Sequence, residues 1–265
     1  MGDAQKWFLY AITGAGHKLP LASLPAVATG DSTPCPPRII SNGLLAAVAS
    51  PFKGERVRPE RRNLSAHHAV LRRLTDAGVD FLPAAFGMLA SSRPAIIEML
   101  RANREPLLAD LRRLSGKVEM GLKVVWDVPN IFEFMASRCQ ELVQLRDRLL
   151  RKSGAPTRDD KIELGRTFEL LLNEARERHV ATVTGALGDC LRDFKVNAPR
   201  DEKSVMNLAC LVPRGDEKPF EQGVFRAAKL FDDNYAFDYN GPWPPFNFVT
   251  ASLAVPETRA VVGKD

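Results

Sequence analysis

Leu114-Ser115-Gly116-Lys117-Val118-Glu119-Met120-Gly121-Leu122-Lys123-Val124-Val125-Trp126 changes its hydrophobic period at a single glycine. Before Gly116, the residues Ile97, Leu100, Leu107, Leu111 and Leu114 build a helical apolar stripe. After it, Val118, Met120, Leu122, Val124 and Trp126 take every second position. Apolar residues three or four apart line one side of a helix, and those two apart line one face of a strand. A helix therefore ends at Gly116, whose missing Cβ suits the left-handed conformation that closes many helices. A strand with one buried face follows directly, which points to a sheet packed by helices.

Toward the N-terminus, Pro94 suits the first turn of that helix and Pro106 should kink or divide it. Residues 79–90 are strand-like, with an interruption at Pro83 that suits an edge or a bulge. Residues 64–77 read as a helix. Leu64, His67 or His68, Leu71 and Leu74 fall at helical spacing between a capping Asn63 and a closing Gly78. Asn42-Gly43 splits two apolar runs within residues 38–50, a strong hairpin signal, and residues 7–13 read as a buried first strand. The order strand, hairpin, helix, strand, helix, strand predicts a ferredoxin-like α+β sheet with helices on one face.

Toward the C-terminus, residues 130–150 read as a helix, broken at Ser153-Gly154-Ala155-Pro156. A long charged helix over residues 159–183 follows, with Asp159-Asp160 at its positive N-terminal end. Then come a strand (205–212), a helix (218–231), short strands at 236–239 and 246–249, and a loose tail over 256–265. The prediction is two domains: residues 1–127, and residues 128–265 as a second α+β unit with a helical prelude.

The composition is that of a globular protein, 45% hydrophobic and 26% charged over 265 residues, with a net charge of +5. Cys35, Cys139, Cys190 and Cys210 have no CxxC spacing, which argues against a zinc site or a disulfide framework and fits a reducing cytosol. No stretch approaches the roughly 18 apolar residues of a membrane helix. The apolar run Trp7–Ile12 is too short for a secretory signal. A cytoplasmic protein without a membrane segment is expected.

The search for chemistry is negative, and no cofactor, metal or catalytic residue is assigned. Gly14-Ala15-Gly16 lacks the third glycine of a dinucleotide fingerprint, because Leu19 stands there, and Lys18 is not in a Walker spacing. His67 and His68 are neighbours on a helix, pointing about 100° apart, so one should face the core and one the solvent. His17 and His179 are isolated, and no GxSxG elbow exists. Arg56, Arg58, Arg61, Arg62, Arg72 and Arg73 form a basic stretch without interleaved aromatics. It suits a solvated connector or an acidic protein partner; the alternative is a nucleic-acid-associated module.

Near the C-terminus stands Gly241-Pro242-Trp243-Pro244-Pro245-Phe246-Asn247-Phe248-Val249. Each proline fixes φ and removes a donor, and biases the residue before it toward extended backbone. The segment reads as a stiff arm leading into a final strand, with Pro242 and Pro245 in a PxxP spacing that polyproline-binding domains recognise. It resembles the C-terminal signature of the gas vesicle accessory proteins of the F/L type (GvpF/GvpL). Other segments resemble that family in order: Trp7-Phe8-Leu9-Tyr10-Ala11-Ile12, Phe81-Leu82-Pro83-Ala84-Ala85-Phe86-Gly87, the Gly-Lys-x-Glu strand at Gly116–Val124, and Asn207-Leu208-Ala209-Cys210-Leu211-Val212. The chain departs from the family pattern at Ala85, Met120, Cys210 and Phe246.

The resemblance implies the same ferredoxin-like N-terminal domain. It also implies a non-enzymatic protein of the cytoplasm and the gas vesicle, which binds the small hydrophobic shell protein, assists its assembly and forms a minor vesicle component. Gly241, Pro242, Trp243, Pro244, Pro245, Phe246, Asn247 and Phe248 become candidates for structural or partner contacts.

Overall fold

A computed structural model describes residues 5–16, 35–151 and 157–251. His17, Lys18, Leu19, the break at 153–156 and the tail at 256–265 lie outside the described residues. The chain divides into two compact units, one holding the residues up to Glu119 together with those from Pro242, the other Met120–Gly241. It thus crosses between units twice rather than once near residue 127, and the proline segment groups with the N-terminal unit.

In the first unit, β1 (Lys6–Gly14) lies between β3 (Leu45–Phe52) and β4 (Phe81–Pro83), with β2 (Arg38–Ser41) outside β3. The short β5 (Leu89–Ala90) also pairs with β1, and every pairing is antiparallel. The run Trp7–Thr13 is buried on both faces, which is why it reads as continuous rather than alternating. Register shifts between Leu9 and Ala11, and the extra residue is Tyr10, whose buried hydroxyl lies 3.0 Å from Ser50 Oγ. The hairpin turns at Asn42-Gly43, where Asn42 Oδ1 accepts from the amides of Leu44 and Leu45 at 3.2 and 2.9 Å and Gly43 takes φ 98°.

Helix α1 (Arg61–Asp76) packs Ala66, Val70, Leu71 and Leu74 with Phe8, Tyr10 and Val48. It begins before Asn63, which is buried in the first turn and donates Nδ2 to the Arg58 carbonyl at 3.1 Å instead of capping. The helix predicted up to Leu114 divides at Asn103 into α2 (Arg93–Ala102) and α3 (Arg104–Leu114). Pro106 thereby falls in the first turn of α3, where an amide has no intrahelical partner to lose.

The alternating face of β6 (Lys117–Trp126) is as the sequence predicts: Val118, Met120, Leu122, Val124 and Trp126 are all buried. The strand, however, belongs to a second antiparallel sheet, ordered β7 (Asp193–Val196), β8 (Ser204–Pro213), β6, β9 (Tyr235–Trp243). Helices α4 (Ile131–Arg138), α5 (Gln140–Leu150), α6 (Arg158–Leu187) and α7 (Glu217–Ala228) complete the unit. The predicted helix over 130–150 divides at Cys139. Helix α6 opens with a capping box: the Asp160 amide donates to Thr157 Oγ1 and the Thr157 amide to Asp160 Oδ2. Its Leu172, Val183 and Leu187 share a core with Met120, Leu122, Val124 and Trp126 of β6, Leu208 and Cys210 of β8, and Phe220 and Val224 of α7. Gly121 leaves room for the Asn240 side chain: a Cβ there would lie 2.7 Å from Asn240 Oδ1, which would have to swing aside.

Candidate functional site

The candidate residues Gly241, Pro242, Trp243, Pro244, Pro245, Phe246, Asn247 and Phe248 do not form one uniform arm. The first three continue β9, an edge strand, to Trp243. Gly241 takes φ 130°, a conformation that side chains disfavour, and Pro242 is tolerated because an edge strand does not need every donor. Pairing stops at the two following prolines. In place of the predicted strand over 246–249, Phe246–Phe248 form a turn of 3-10 helix. The Phe246 amide reaches the Pro244 carbonyl at 2.7 Å, and the Phe248 amide reaches Pro245 at 3.2 Å. Pro244 and Pro245 are buried, and Pro245 has ψ 60°, far from the roughly 145° of a polyproline helix. The PxxP spacing therefore presents no polyproline ligand.

Two buried carboxylates of the first unit hold the segment. Glu119, 7% exposed, accepts from the Asn247 amide at 2.9 Å and from its Nδ2 at 2.6 Å. This bidentate pair joins the Gly-Lys-x-Glu strand to the proline segment, more than a hundred residues apart in the chain. Asp110, 2% exposed, receives the amides of Thr250 and Ala251 at 2.7 and 2.8 Å and the Thr250 hydroxyl at 2.8 Å. Arg113 Nη2 donates to Asp110 at 2.7 Å and also to the Phe248 carbonyl. Burial by itself would raise the Asp110 carboxyl; Arg113, the Ala251 and Thr250 amides and the Thr250 hydroxyl outweigh it and hold it below its ordinary value. Phe248 is fully buried, and Phe246 packs beside the Phe8, Tyr10 and Leu74 cluster. Trp243, by contrast, is 45% exposed. The arrangement is a clasp: charged acceptors fix the chain after the prolines, and the tryptophan before them faces outward in part.

Sequence reasoning did not find Asp110, Arg113 or Thr250, and gave Glu119 no role. One signal was available. Asp110 lies three residues after Leu107 and four before Leu114, so it interrupts the apolar side of its own helix. A carboxylate in such a position needs partners, and here the C-terminal chain supplies them.

The histidine pair divides as predicted, with His67 buried and His68 exposed. Among the described residues no three His, Cys, Asp or Glu side chains gather to hold a metal. The six arginines from Arg56 to Arg73 are exposed, whereas the flanking Phe52 and Phe81 are buried, so neither phenylalanine is available there for base stacking. No helix among the described residues is long and apolar enough to cross a membrane.

The chain is thus an α+β protein of two antiparallel sheets, each packed with helices, with a C-terminal segment clasped to the first unit. The family described as gas vesicle synthesis protein GvpL/GvpF matches residues 6–250, and the chain belongs to it. A gas vesicle protein F of a Streptomyces species is 28% identical over 243 residues, covering 91% of this chain and 98% of the relative. That of Dolichospermum flosaquae is 26% identical, over 75% of this chain and 81% of its own length. The crystal structure of gas vesicle protein GvpF from Anabaena sp. PCC7120 superposes with a TM-score of 0.78 at 25% identity, covering 94% of this chain and 99% of that one. The GvpF structure from Microcystis aeruginosa shares the fold, with a TM-score of 0.75 at 21% identity over 92% of this chain and 99% of its own. The chain is thus a family member involved in gas vesicle formation, in a family not known for enzymes.

Proposed function

We propose that this protein is a non-enzymatic assembly factor of the cytoplasm that binds the small hydrophobic shell protein of gas vesicles and is retained as a minor vesicle component. A shell subunit with one water-repelling face aggregates before assembly unless a partner covers it. The observation that carries the reading is the clasp. A family-signature segment is fixed by two buried carboxylates while its tryptophan stays 45% exposed. A part-exposed tryptophan at the end of an edge strand, next to a fixed segment, offers an anchor for an apolar partner.

The test is co-purification with the shell protein, alongside flotation of cells lacking this chain. Trp243→Ala is expected to leave thermal stability nearly unchanged, within about 1 kcal/mol for a half-exposed side chain, and to reduce shell-protein capture ~10-fold or more. Full capture by the variant would remove Trp243 from the contact. No capture by the unaltered chain, with normal vesicles in its absence, would end the proposal.

A further inference from the structure

Strand β9 ends the sheet of the second unit, and its nine residues make it the longest sheet edge among those described. The edges β2 and β7 have four residues each, and β4 has three. Two contacts fix which way its backbone points. The Asp127 amide, just past β6, bonds the Asn234 carbonyl at 2.7 Å, and Gly121 lies against Asn240. The same number of residues separates these contacts on both strands, so no bulge intervenes. The backbone groups of Ala236, Asp238 and Asn240 therefore face β6, and those of Phe237 and Tyr239 face away from the sheet. No strand among the described residues lies beyond them, and no described loop carbonyl takes up their amides.

The side chains alternate in the same way. Tyr235, Phe237 and Tyr239 stand on the core face, partly buried against it. Each is held in place: the Tyr235 hydroxyl lies 3.1 Å from His179 Nε2, the Phe237 ring 5.3 Å from that of Phe231, and the Tyr239 hydroxyl donates to Glu221. Ala236, Asp238 and Asn240 are exposed. Long edges are normally blunted by lysine, by proline or by a bulge. Residues Tyr235–Trp243 contain no lysine or arginine, and Pro242 comes only near their end.

We propose that an extended segment of the shell protein pairs with β9 as a further strand of the second sheet. Its backbone takes up the outward amides and carbonyls of Phe237 and Tyr239, and its apolar side chains at alternate positions continue the row of Tyr235, Phe237 and Tyr239. The inference rests on the shell protein being the partner, and it gives that contact a mode. Main-chain bonds would supply the pairing, and alternate side chains the selectivity. A row of half-covered rings at the edge is completed by an apolar strand and not by a polar one. The edge is also continuous with the contact proposed above, because Trp243 is the last residue of the same strand.

The test is residue-resolved hydrogen exchange on the full chain, alone and in complex with co-purified shell protein. The amides of Asp238 and Asn240 should be protected in both. Those of Phe237 and Tyr239 should exchange freely in the chain alone and slow ~10-fold or more in the complex, a reading that needs no variant to fold. Tyr239→Pro is then compared with Tyr239→Ala. Both lose the ring and the Glu221 contact, but only proline loses the outward amide, a loss that an edge strand tolerates. Tyr239→Pro should capture ~10-fold less shell protein than Tyr239→Ala, with protection at Asp238 and Asn240 showing that each variant keeps β9. Capture with Phe237 and Tyr239 still exchanging freely, or equal capture by the two folded variants, would overturn the edge pairing and leave the shell protein as partner. No capture by the unaltered chain would end both. Slowing at Phe237 and Tyr239 in a dimer of the chain alone would assign the edge to a second copy and overturn the proposal.

Discussion

Replacing Asp110 with asparagine tests the clasp most directly. Oδ1 accepts from Arg113 and the Thr250 hydroxyl, and Oδ2 from the amides of Thr250 and Ala251. In the native chain each is a hydrogen bond to a charged group, for which about 1.5 kcal/mol is a low figure. An amide keeps one acceptor oxygen and turns the other position into a donor; with its nitrogen on the Oδ1 side the Thr250 hydroxyl turns to accept, so this orientation loses the Arg113 contact and leaves the other three neutral, each about 0.5 kcal/mol weaker. Asp110→Asn should therefore weaken the segment by about 3 kcal/mol, equivalent to ~100-fold faster amide exchange at Thr250 and Ala251 through local opening. The assay is residue-resolved hydrogen exchange, which reads the segment without assuming that both units unfold together. Less than about a threefold change in exchange would refute the assignment of Asp110 as an anchor. The same logic gives a pH dependence. The folded state holds the Asp110 carboxyl below its ordinary value of 3.8. Its contribution is therefore whole above that value and is lost as pH falls through the lowered one. Segment release should begin only in strong acid, and Asp110→Asn should abolish that step.

A second acid transition belongs to His67. It is 1% exposed among Phe8, Tyr10 and Phe86, and neither ring nitrogen has a hydrogen-bond partner of good geometry. Burial first, then the nearby His68, pull its pKa from 6.5 to about 4, against a weak opposing contact at Ala84. Protonation thus favours the unfolded chain. Stability is complete above pH 6.5 and should fall by about 3 kcal/mol toward pH 4. Urea titrations across that window should show the loss, and His67→Leu should flatten it; an unchanged slope in the variant would exclude His67 as the source. Gly121→Ala should destabilise the second unit by no more than about 1 kcal/mol, because the exposed Asn240 side chain can swing away from the added Cβ, measured by thermal melting. Asn240→Ala in the same chain should recover part of the loss; strictly additive effects would show that the two residues do not meet.

Much of the secondary structure was legible in the sequence because its signals are local. The Asn42-Gly43 turn, the α3 stop at Gly116 and the alternating face of β6 each depend on residues a few positions apart. The short β7 was missed, since four residues with two charges carry too little periodicity to stand out. The strand expected over 246–249 was misread for a different reason. Aromatic, alternating Phe246 and Phe248 look like a strand, but the 3-10 turn is set by the two prolines and by Glu119 and Asp110, which reach the segment from elsewhere in the fold.

Sequence by itself determined the α+β character and the family, because period, turn chemistry and a rare proline–tryptophan motif are written in neighbouring residues. Only the tertiary structure decided that β6 completes the second sheet and that the proline segment returns to the first unit. Those outcomes rest on pairings between residues distant in the chain, above all on buried carboxylates whose need for partners is satisfied only once the chain has folded.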